Sequence, residues 1–426
     1  RVNNRIRRAI EAAIGMPTIL SSDPARRLEA AASVFRNRDP AAMDLVNAAL
    51  ERETEPRVRR AFEQARAALI LTAPSAEDAA RLAAIDILAA RGDRDARALL
   101  AGIGAASPQI EEAAAAAIRR IDRSLQMWSL AQSVYAGISL GSVLLLAAIG
   151  LAITFGVMGV INMAHGEMVM LGAYTTFAVQ EIIRTSAPGL FDWSLAIALP
   201  LAFLVAGAVG MGIERGVIRF LYGRPLETLL ATFGLSLVLQ QAVRSLFGPT
   251  NREVGNPSWM SGAFELGGLT LTYNRMWIIV FAAVVLLALM LVLRRTAFGL
   301  QMRAVTQNRR MAASMGIRTS WIDSLTFGLG SGIAGIAGVA LSQIDNVSPN
   351  LGQGYIIDSF MVVVFGGVGN LWGTLVGALS LGIANKLLEP VAGAVLGKII
   401  VLVLIVLFIQ RKPRGLFPLK GRAVES

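Results

Sequence analysis

The sequence lacks cysteine entirely and contains a single histidine, His165. The absence of cysteine excludes disulfide scaffolds, zinc ribbons, iron–sulfur proteins and thiol enzymes. One histidine excludes a two-histidine relay and a metal site made of several imidazoles, so we expect no metal. Aromatic residues are only 7% and charged residues only 16% of the 426 residues, whereas 54% are hydrophobic. These proportions argue against a wholly soluble chain.

Charge is concentrated in the first third of the chain. Residues 1–127 contain 20 arginines, no lysine and 17 acidic residues, whereas the longer stretch 128–426 contains 20 basic and 12 acidic residues. The net charge of +11 is therefore not spread as a nucleic-acid-binding surface requires, and we expect no nucleic acid partner. The pattern predicts an all-α chain: an α-helical extramembrane domain at 1–126, a polytopic α-helical membrane domain at 127–412 and a basic tail at 413–426.

Acid–proline dipeptides at regular intervals mark helix starts in the first part of the chain. The dipeptides Asp23-Pro24, Asp39-Pro40 and Glu55-Pro56 recur at 16-residue intervals. An acidic residue before proline is typical of a helix start, because its side chain accepts hydrogen bonds from free N–H groups and proline lacks a donor that the first turn does not use. Helix pairs at this spacing favour a HEAT-like repeat, with an irregular bundle as the alternative. Since no catalytic constellation is present, we expect a binding or scaffolding role.

Apolar windows of about 20 residues, each able to cross a bilayer, follow from Ser129 onward. They lie at 130–155, 160–182, 191–213, 226–247, 275–293, 321–342 and 395–410. Residues 356–388 are also apolar, but several glycines interrupt them. The second part of the chain is therefore predicted to cross the membrane many times.

Arginine and lysine in short loops predict the orientation of these segments. The loop 294–320 contains six arginines and no acidic residue, and the tail is basic, so we expect both in the cytoplasm. Counting back through the spans places 1–126 in the periplasm. The tail returns to the cytoplasm only if 356–388 is a re-entrant or broken pair of helices. An exported domain needs a targeting signal, so the start at Arg1 predicts a cleaved signal peptide, or else a truncated chain.

Two polar sets lie inside the apolar segments and are candidates for a translocation pathway: Asn162, His165 and Glu167 in the first, and Thr232, Ser236 and Gln240 in the second. Ionisable groups inside a membrane are functional candidates, because each costs free energy unless it is paired or hydrated. The second set shares one helix face, since its members are four residues apart. For the first set, the alternative is that its three residues cap a half-helix and bond each other near the membrane interface. For the second set, it is interhelical hydrogen bonding alone.

Two further patterns concern packing and the long loop. Repeated glycines four residues apart predict close helix packing, at Gly328 and Gly332 and at Gly369, Gly373 and Gly377. The loop residues 296–320 have helical spacing that ends at a plausible C-cap, Gly316, with a plain topology loop as the alternative. The segment 393–398 lacks the spacing of a phosphate-binding loop, so ATP hydrolysis would require another chain.

Four motifs in order resemble one family of transporters: INMAHGEMVMLGAY (161–174), ATFGLSLVLQQ (231–241), GLQMRAVTQNRRMAASMGI (299–317) and FGGVGNLWGTLVGA (365–378). The resemblance is to the branched-chain amino acid type of ABC importer permease, and it covers about 130–418. The long helical extension before these motifs is more similar to the urea-transporter permeases of this family than to the shorter amino acid permeases.

The resemblance implies a multi-pass subunit of the bacterial inner membrane, surrounded by lipid, with a cytoplasmic loop that docks on an ATPase. By match, the docking role falls on Arg303, Asn308, Arg309, Arg310, Ala312 and Gly316. Arg310 stands where other importer classes have glutamate, which predicts a different contact in detail. The implied partners are a second related permease, two ATPases that bind the ATP, and a periplasmic solute-binding protein. This chain would hold no cofactor and would not be an enzyme.

The expected solute is urea or a close small amide. The face formed by Thr232, Ser236 and Gln240 is neutral, whereas a zwitterionic amino acid calls for charged or strongly dipolar partners. A branched-chain amino acid is the alternative solute. Two other classes of protein stay open. One is a self-sufficient channel or secondary transporter, and the other is a membrane-anchored scaffold whose function resides in its N-terminal helices.

Overall fold

The protein is a polytopic α-helical membrane protein. The computed structural model describes residues 19–73, 76–103 and 107–417, and these contain fifteen α-helices and one two-stranded β-hairpin. The chain divides into two compact units, one up to Ser129 and one from Leu130 onward, which we call the first unit and the membrane unit. Residues 1–18 of the predicted first domain and residues 418–426 of the predicted tail lie outside the described residues.

The first unit is built from short helices that begin where the acid–proline dipeptides stand. Its helices are α1 (Pro24–Asn37), α2 (Met43–Arg52), α3 (Pro56–Thr72), α4 (Asp78–Arg91), α5 (Arg94–Ala101) and the beginning of α6 (Pro108–Met158). The Asp23 carboxylate accepts the Ala25 N–H at 2.9 Å, and Asp39 accepts the Ala41 N–H at 3.0 Å. Asp39 starts a 3₁₀ turn at Pro40–Ala42 rather than the α-helix itself, which follows it.

The core of the first unit forms along α3, which packs against α1, α2 and α4. Its most buried side chains are alanine, leucine, isoleucine and the aromatic Phe62, none of which brings a polar group into the core. Helices of eight to seventeen residues cannot bury an apolar face alone, so each is stabilised by its neighbours. The HEAT-like repeat stays a prediction.

The membrane unit contains the rest of α6 and nine further helices. These are α7 (His165–Ser186), α8 (Ser194–Gly216), α9 (Pro225–Phe247), α10 (Tyr273–Arg295), α11 (Ala297–Gln307), α12 (Arg309–Ser314), α13 (Thr319–Leu341), α14 (Leu351–Gly366) and α15 (Leu371–Arg411). A hairpin of β1 (Ala263–Leu266) and β2 (Leu269–Thr272) precedes α10 and pairs antiparallel. The sequence had not predicted this hairpin.

Six of these helical segments are long and apolar enough to cross a membrane: Pro108–Met158, Pro188–Phe220, Pro225–Phe247, Tyr273–Arg295, Thr319–Leu341 and Leu371–Arg411. They contain the predicted spans, with the exception of 160–182. There the helix is α7, which begins only at His165 and carries more polar residues. The first residues of the predicted span 160–182 are therefore not helical and form the turn that precedes α7.

The glycine-rich segment 356–388 is interrupted, as its sequence indicated. α14 ends at Gly366, and α15 begins at Leu371 after a turn in which Gly367 and Gly369 have φ of 106° and 79°. α15 itself bends sharply at Gly393, where φ is 78° and ψ is 164°. The N–H groups of Leu416 and Phe417 then donate to the carbonyls of Phe365 and Gly366, so the chain returns to the end of α14.

The glycine stripes pack helices closely, with one correction. Gly373 lies against the backbone of Gly366, while Gly328 and Gly332 lie against α8. Gly369 is not part of the stripe, because it sits in the turn before α15 and not in a helix. A Cβ on Gly156 would approach the Cα of Gly369 to 2.6 Å, so this turn packs against the end of α6.

Two reciprocal glycine contacts join helices that are far apart in the sequence. Gly150 of α6 lies against Gly330 of α13, and Gly166 of α7 lies against Gly352 of α14. α6 and α13 are each followed by a loop and a second helix, α7 and α14, and the first turns of these second helices pack against each other.

Candidate translocation and coupling sites

The start of α7 is held inside the membrane unit by its own polar residues. α6 ends at Met158, and Gly159 then adopts a φ of 67°, which reverses the chain. The Asn162 side-chain oxygen accepts the Ala164 N–H at 3.0 Å within the turn that precedes the new helix. The His165 Nε2 lies 2.9 Å from the Ala147 carbonyl, about halfway along the membrane part of α6. α7 therefore begins deep in the apolar region.

Glu167 joins the two polar sets that the sequence singled out. Ser236 Oγ and Gln240 Nε2 each donate to Glu167 Oε1 at 2.8 Å. One turn earlier, the Met163 N–H donates to Thr232 Oγ1 at 3.1 Å. These contacts connect α7, and the turn before it, to α9. Glu167, Ser236 and Gln240 are hydrogen-bonded to one another. We use the name polar cluster for these three together with the other buried members of the two sets: Asn162, His165, Glu167, Thr232, Ser236 and Gln240.

The polar cluster is closed within this chain. Each of its six side chains belongs to a residue that is at most 4% exposed. Among the described residues, no partner is found for Glu167 Oε2, Asn162 Nδ2 or His165 Nδ1, all of which are buried. Buried polar atoms of this kind normally have a hydrogen-bond partner. The cluster therefore has spare hydrogen-bonding capacity in the interior of the unit.

The chemical character of the cluster differs from the expectation. The sequence predicted a neutral polar face, but the Glu167 carboxyl group lies in contact with two of its three members. The same contacts fit the alternative of interhelical hydrogen bonding between α7 and α9. The three residues of the first set do not hydrogen-bond each other; they bond the Ala164 N–H, α6 and α9.

The long basic loop folds into two short helices, α11 and α12. Asn308 caps α12 by accepting the Met311 N–H at 3.0 Å, and Gly316 ends the segment with a φ of 85°. Ala312 is buried against the membrane unit. Arg303 donates to the Leu293 carbonyl at the end of α10. The loop is therefore a structured element that is attached to the membrane helices.

Arg309 is compensated by an acidic residue outside the loop. It forms a two-pronged ion pair with Asp323 in the first turns of α13, with an Nη1–Oδ1 distance of 3.2 Å. Asp323 is fully buried, and the Arg309 guanidinium lies over the Tyr222 ring at 5.1 Å. The Tyr222 hydroxyl donates to Glu214 at 2.8 Å. The loop itself contains no acidic residue, and the partner of Arg309 is contributed by another helix.

The outer face of α12 combines one charge with apolar side chains. Arg310 is exposed and has no ion-pair partner among the described residues, while Met311 and Met315 are 61% and 77% exposed. Sequence reasoning missed the two methionines, although their spacing of four residues places them on one helix face. Exposed methionines are adaptable contact groups at protein interfaces.

A second feature that the sequence reasoning missed is an ion pair inside the membrane unit. Lys398 Nζ on α15 lies 3.0 Å from Asp358 Oδ2 on α14. The signal was present, because each is a lone charge within an apolar stretch. A search for isolated charges, applied to every span, would have found both residues.

The membrane unit is similar to known permease proteins. The family model of the branched-chain amino acid transport system permease component matches residues 133–409. The permease protein LivH of the high-affinity branched-chain amino acid transport system of Escherichia coli K12 is 32% identical over 296 residues, covering 67% of this chain and 94% of LivH. Permease BraD of Pseudomonas aeruginosa, from a system of the same description, is 29% identical over 298 residues, covering 68% and 96%.

A more distant relative transports a different class of solute by its printed name. The ribose import permease RbsC of Escherichia coli K12 is 26% identical over 202 residues, covering 45% of this chain and 60% of RbsC. No solved structure matches the chain. The family match covers well over half of the chain and nearly all of the membrane unit, so this multi-pass membrane protein belongs to the family of branched-chain amino acid transport system permease components.

Proposed function

We propose that the chain is the membrane-spanning permease subunit of a bacterial ABC importer for branched-chain amino acids. The observation that carries this proposal is the family match over 133–409. A second related permease, two ATPases and a periplasmic solute-binding protein complete the assembly in the inner membrane. The ATPases bind and hydrolyse ATP, and this chain converts their movement into passage of the solute without any covalent step.

A branched-chain amino acid is supported over urea by two observations. The relatives that match nearly their whole length carry that solute in their names. In addition, the polar cluster contains the Glu167 carboxyl group, so the argument from a neutral face no longer favours urea. A carboxylate forms strong hydrogen bonds to an ammonium group, which amino acids have and urea lacks.

Urea is the second candidate, because the first unit has no counterpart in the amino acid permeases. The family match begins at residue 133, and LivH is already covered over 94% of its own length. A long helical extension of this kind is the feature on which the sequence resemblance to urea-transporter permeases rests. Urea also has N–H groups that can donate to Glu167, although it lacks the ammonium charge of an amino acid.

We propose that the polar cluster is the place where the solute pathway is closed. In this arrangement Glu167 bridges α7 and α9, and the cluster is sealed from the surface. α9 lies at the periphery of the membrane unit, since only 28% of its most apolar stretch of 18 residues is buried. Movement of α9 away from α7 would break the bonds of Ser236 and Gln240 and expose the carboxyl group to the solute.

The loop helices α11 and α12 are the proposed contact with the ATPase. The exposed side chains of Arg310, Met311 and Met315 supply the outward face, while Arg309 connects the loop to α13. Replacing both methionines by serine, or Gly316 by proline, should lower solute uptake per ATP hydrolysed while the chain still reaches the membrane. Uptake per ATP equal to that of the unchanged importer would reject this contact.

The orientation follows from the charge of the loops. The basic loop and the residues after α15 lie in the cytoplasm, and the first unit lies in the periplasm. A protease added to spheroplasts should remove the first unit and leave the membrane unit intact. Protection of the first unit, in cells where a periplasmic control protein is digested, would reverse the orientation.

The solute is tested with the whole importer. Co-purification in mild detergent identifies the partner chains, and reconstituted assemblies are then supplied with solute-binding protein loaded with leucine or with urea. We expect leucine to stimulate ATP hydrolysis and uptake. Stimulation by urea alone would select the second candidate. Solute flux through this chain without any partner would reject the importer in favour of a channel.

A further inference from the structure

The ion pair between Asp358 and Lys398 lies in a part of the membrane unit that should avoid charge. Lys398 is the only charged residue between Glu389 and Arg411. Its neighbours Val395, Leu396 and Ile399 are between 49% and 73% exposed, so this face of α15 is apolar and outward-facing. Asp358 stands midway along α14, whose first turn packs against the start of α7.

The two members of the pair are unequally exposed. The Asp358 side chain is 8% exposed, whereas the Lys398 side chain is 52% exposed. Within the described residues, Lys398 is the sole ion-pair partner of Asp358. A lysine that faced lipid would extend its amine toward the membrane surface. Here the amine points instead to a carboxylate on another helix, and the pair remains open on one side.

An open ion pair inside a membrane is expected to face water or protein rather than lipid. A purely structural pair would be enclosed, with its remaining lone pairs and protons satisfied by neighbours. In the Asp358–Lys398 pair the ammonium group is half-exposed, and the buried carboxylate lies directly behind it at 3.0 Å. That arrangement is complementary to a small molecule that carries both charges itself.

We propose that Asp358 and Lys398 form a binding site for zwitterionic α-amino acids on the solute route. Lys398 binds the carboxylate of the solute and Asp358 binds its ammonium group, so the solute exchanges the internal ion pair for two external ones. The apolar side chains around Lys398 accommodate an aliphatic side chain. The inference rests on the proposed function, because it requires that amino acids pass through the assembled importer.

The experiment uses the complete importer in proteoliposomes with leucine-loaded binding protein. The variants are Asp358→Asn, Lys398→Met and the double variant that carries both changes. The matched control is the double variant Lys386→Gln with Glu389→Gln, which removes another ion pair of α15. That control pair is local, since its members are three residues apart and 28% and 42% exposed.

A site for the solute and a structural pair predict different results for the double variant. Each single variant leaves one charge uncompensated, so both readings predict a defect. The double variant leaves no unpaired charge and should regain normal assembly with the partner chains. If the pair binds the solute, leucine uptake should remain lower by about tenfold or more, because charge-assisted hydrogen bonds to the solute are lost. The control double variant should transport normally.

Recovery of leucine uptake in the double variant would overturn the site and establish a structural pair. A double variant that still fails to assemble would overturn it as well, since the residues would then be required for folding. Failure of the proposed function is recognised separately, before any variant is made. An unchanged importer that carries urea and not leucine would reject both the amino acid function and this site.

Discussion

Glu53 of the first unit and Glu167 of the membrane unit, two of the chain's buried glutamates, are stabilised in opposite ways. Glu53 of the first unit is bound by the Arg27 guanidinium through two hydrogen bonds, at 2.7 and 3.0 Å, and it also accepts the Glu55 N–H. Glu167 of the membrane unit is more deeply buried, yet its hydrogen-bond donors are the neutral groups of Ser236 and Gln240. The first carboxylate is neutralised in place, whereas the second is left able to accept a cation.

This difference fits the proposal that Glu167 lies on the solute pathway. Removing one partner of a buried pair leaves an uncompensated charge, so the Arg27–Glu53 pair is a fixed contact of the fold. The neutral donors around Glu167 leave its charge available to a cationic group of the solute. Asp323, which is fully buried and paired with Arg309, resembles Glu53 in having a fixed cation beside it, and the pair connects the loop helices to α13.

The largest difference in solute uptake is expected between two separate variants, in each of which one of these glutamates is replaced by glutamine. Glu167→Gln should lower solute uptake by roughly tenfold or more, because the charge is lost while the shape is kept. Glu53→Gln should leave uptake within about twofold of the unchanged importer, since it acts on the first unit. Uptake by reconstituted importers measures both. Glu181→Gln, at an exposed position of α7, is the matched control. Equal uptake in the Glu167 and Glu181 variants would remove the distinction.

A smaller effect is expected from the Arg309–Asp323 pair. Arg309→Asp alone places two carboxylates together and should lower uptake per ATP hydrolysed several-fold. The exchange of both residues, Arg309→Asp with Asp323→Arg, keeps one cation and one anion and should recover most of the coupling. The double-mutant cycle measures this interaction. If the exchange is no better than the single change, the pair does not transmit movement between the loop and α13.

The smallest effect is a dependence of stability on pH in the first unit. The Arg27 hydrogen bond lowers the pKa of Glu53 below its ordinary value of 4.5. A carboxyl group with a lowered pKa stabilises the fold above its unfolded-state pKa, and this contribution is lost as pH falls through the folded-state value. Protease resistance of the first unit in the full chain should therefore differ between the unchanged protein and Glu53→Gln at pH 7. The difference should shrink below about pH 4. A constant difference across this range would show that packing, and not charge, is responsible.

The sequence predicted those features that depend on neighbours along the chain. Caps at Asp23 and Asp39, the helical loop ending at Gly316 and the break within 356–388 all follow from local hydrogen bonds or from backbone freedom. The two polar sets were recognised because polar residues in an apolar segment stand out by composition. Their membership in one cluster could not be predicted, since it depends on the register between α7 and α9.

Other features require contacts that a linear pattern does not contain. Gly369 matches the spacing of a packing stripe, but the turn before α15 needs its positive φ. The partner of Arg309 stands fourteen residues later, and that of Lys398 forty residues earlier. The amino-acid sequence shows each charged residue but does not show which residue forms an ion pair with it. Only the folded chain distinguishes Arg309, which is paired, from its neighbour Arg310, which is exposed and without an ion pair in the described part of the chain.

The reciprocal contacts of Gly150 with Gly330 and of Gly166 with Gly352 set a limit on how this transporter can be redesigned. At each of the four positions an added methyl group would meet backbone atoms of the opposite helix. Backbone atoms cannot move aside by changing rotamer, as a side chain can. A library that randomised the membrane unit would therefore return glycine at all four positions whatever solute was selected. Changes in solute preference would have to come from side chains on the faces around these crossings. The two glycine crossings would stay unchanged, and solute specificity would depend on the side chains around them.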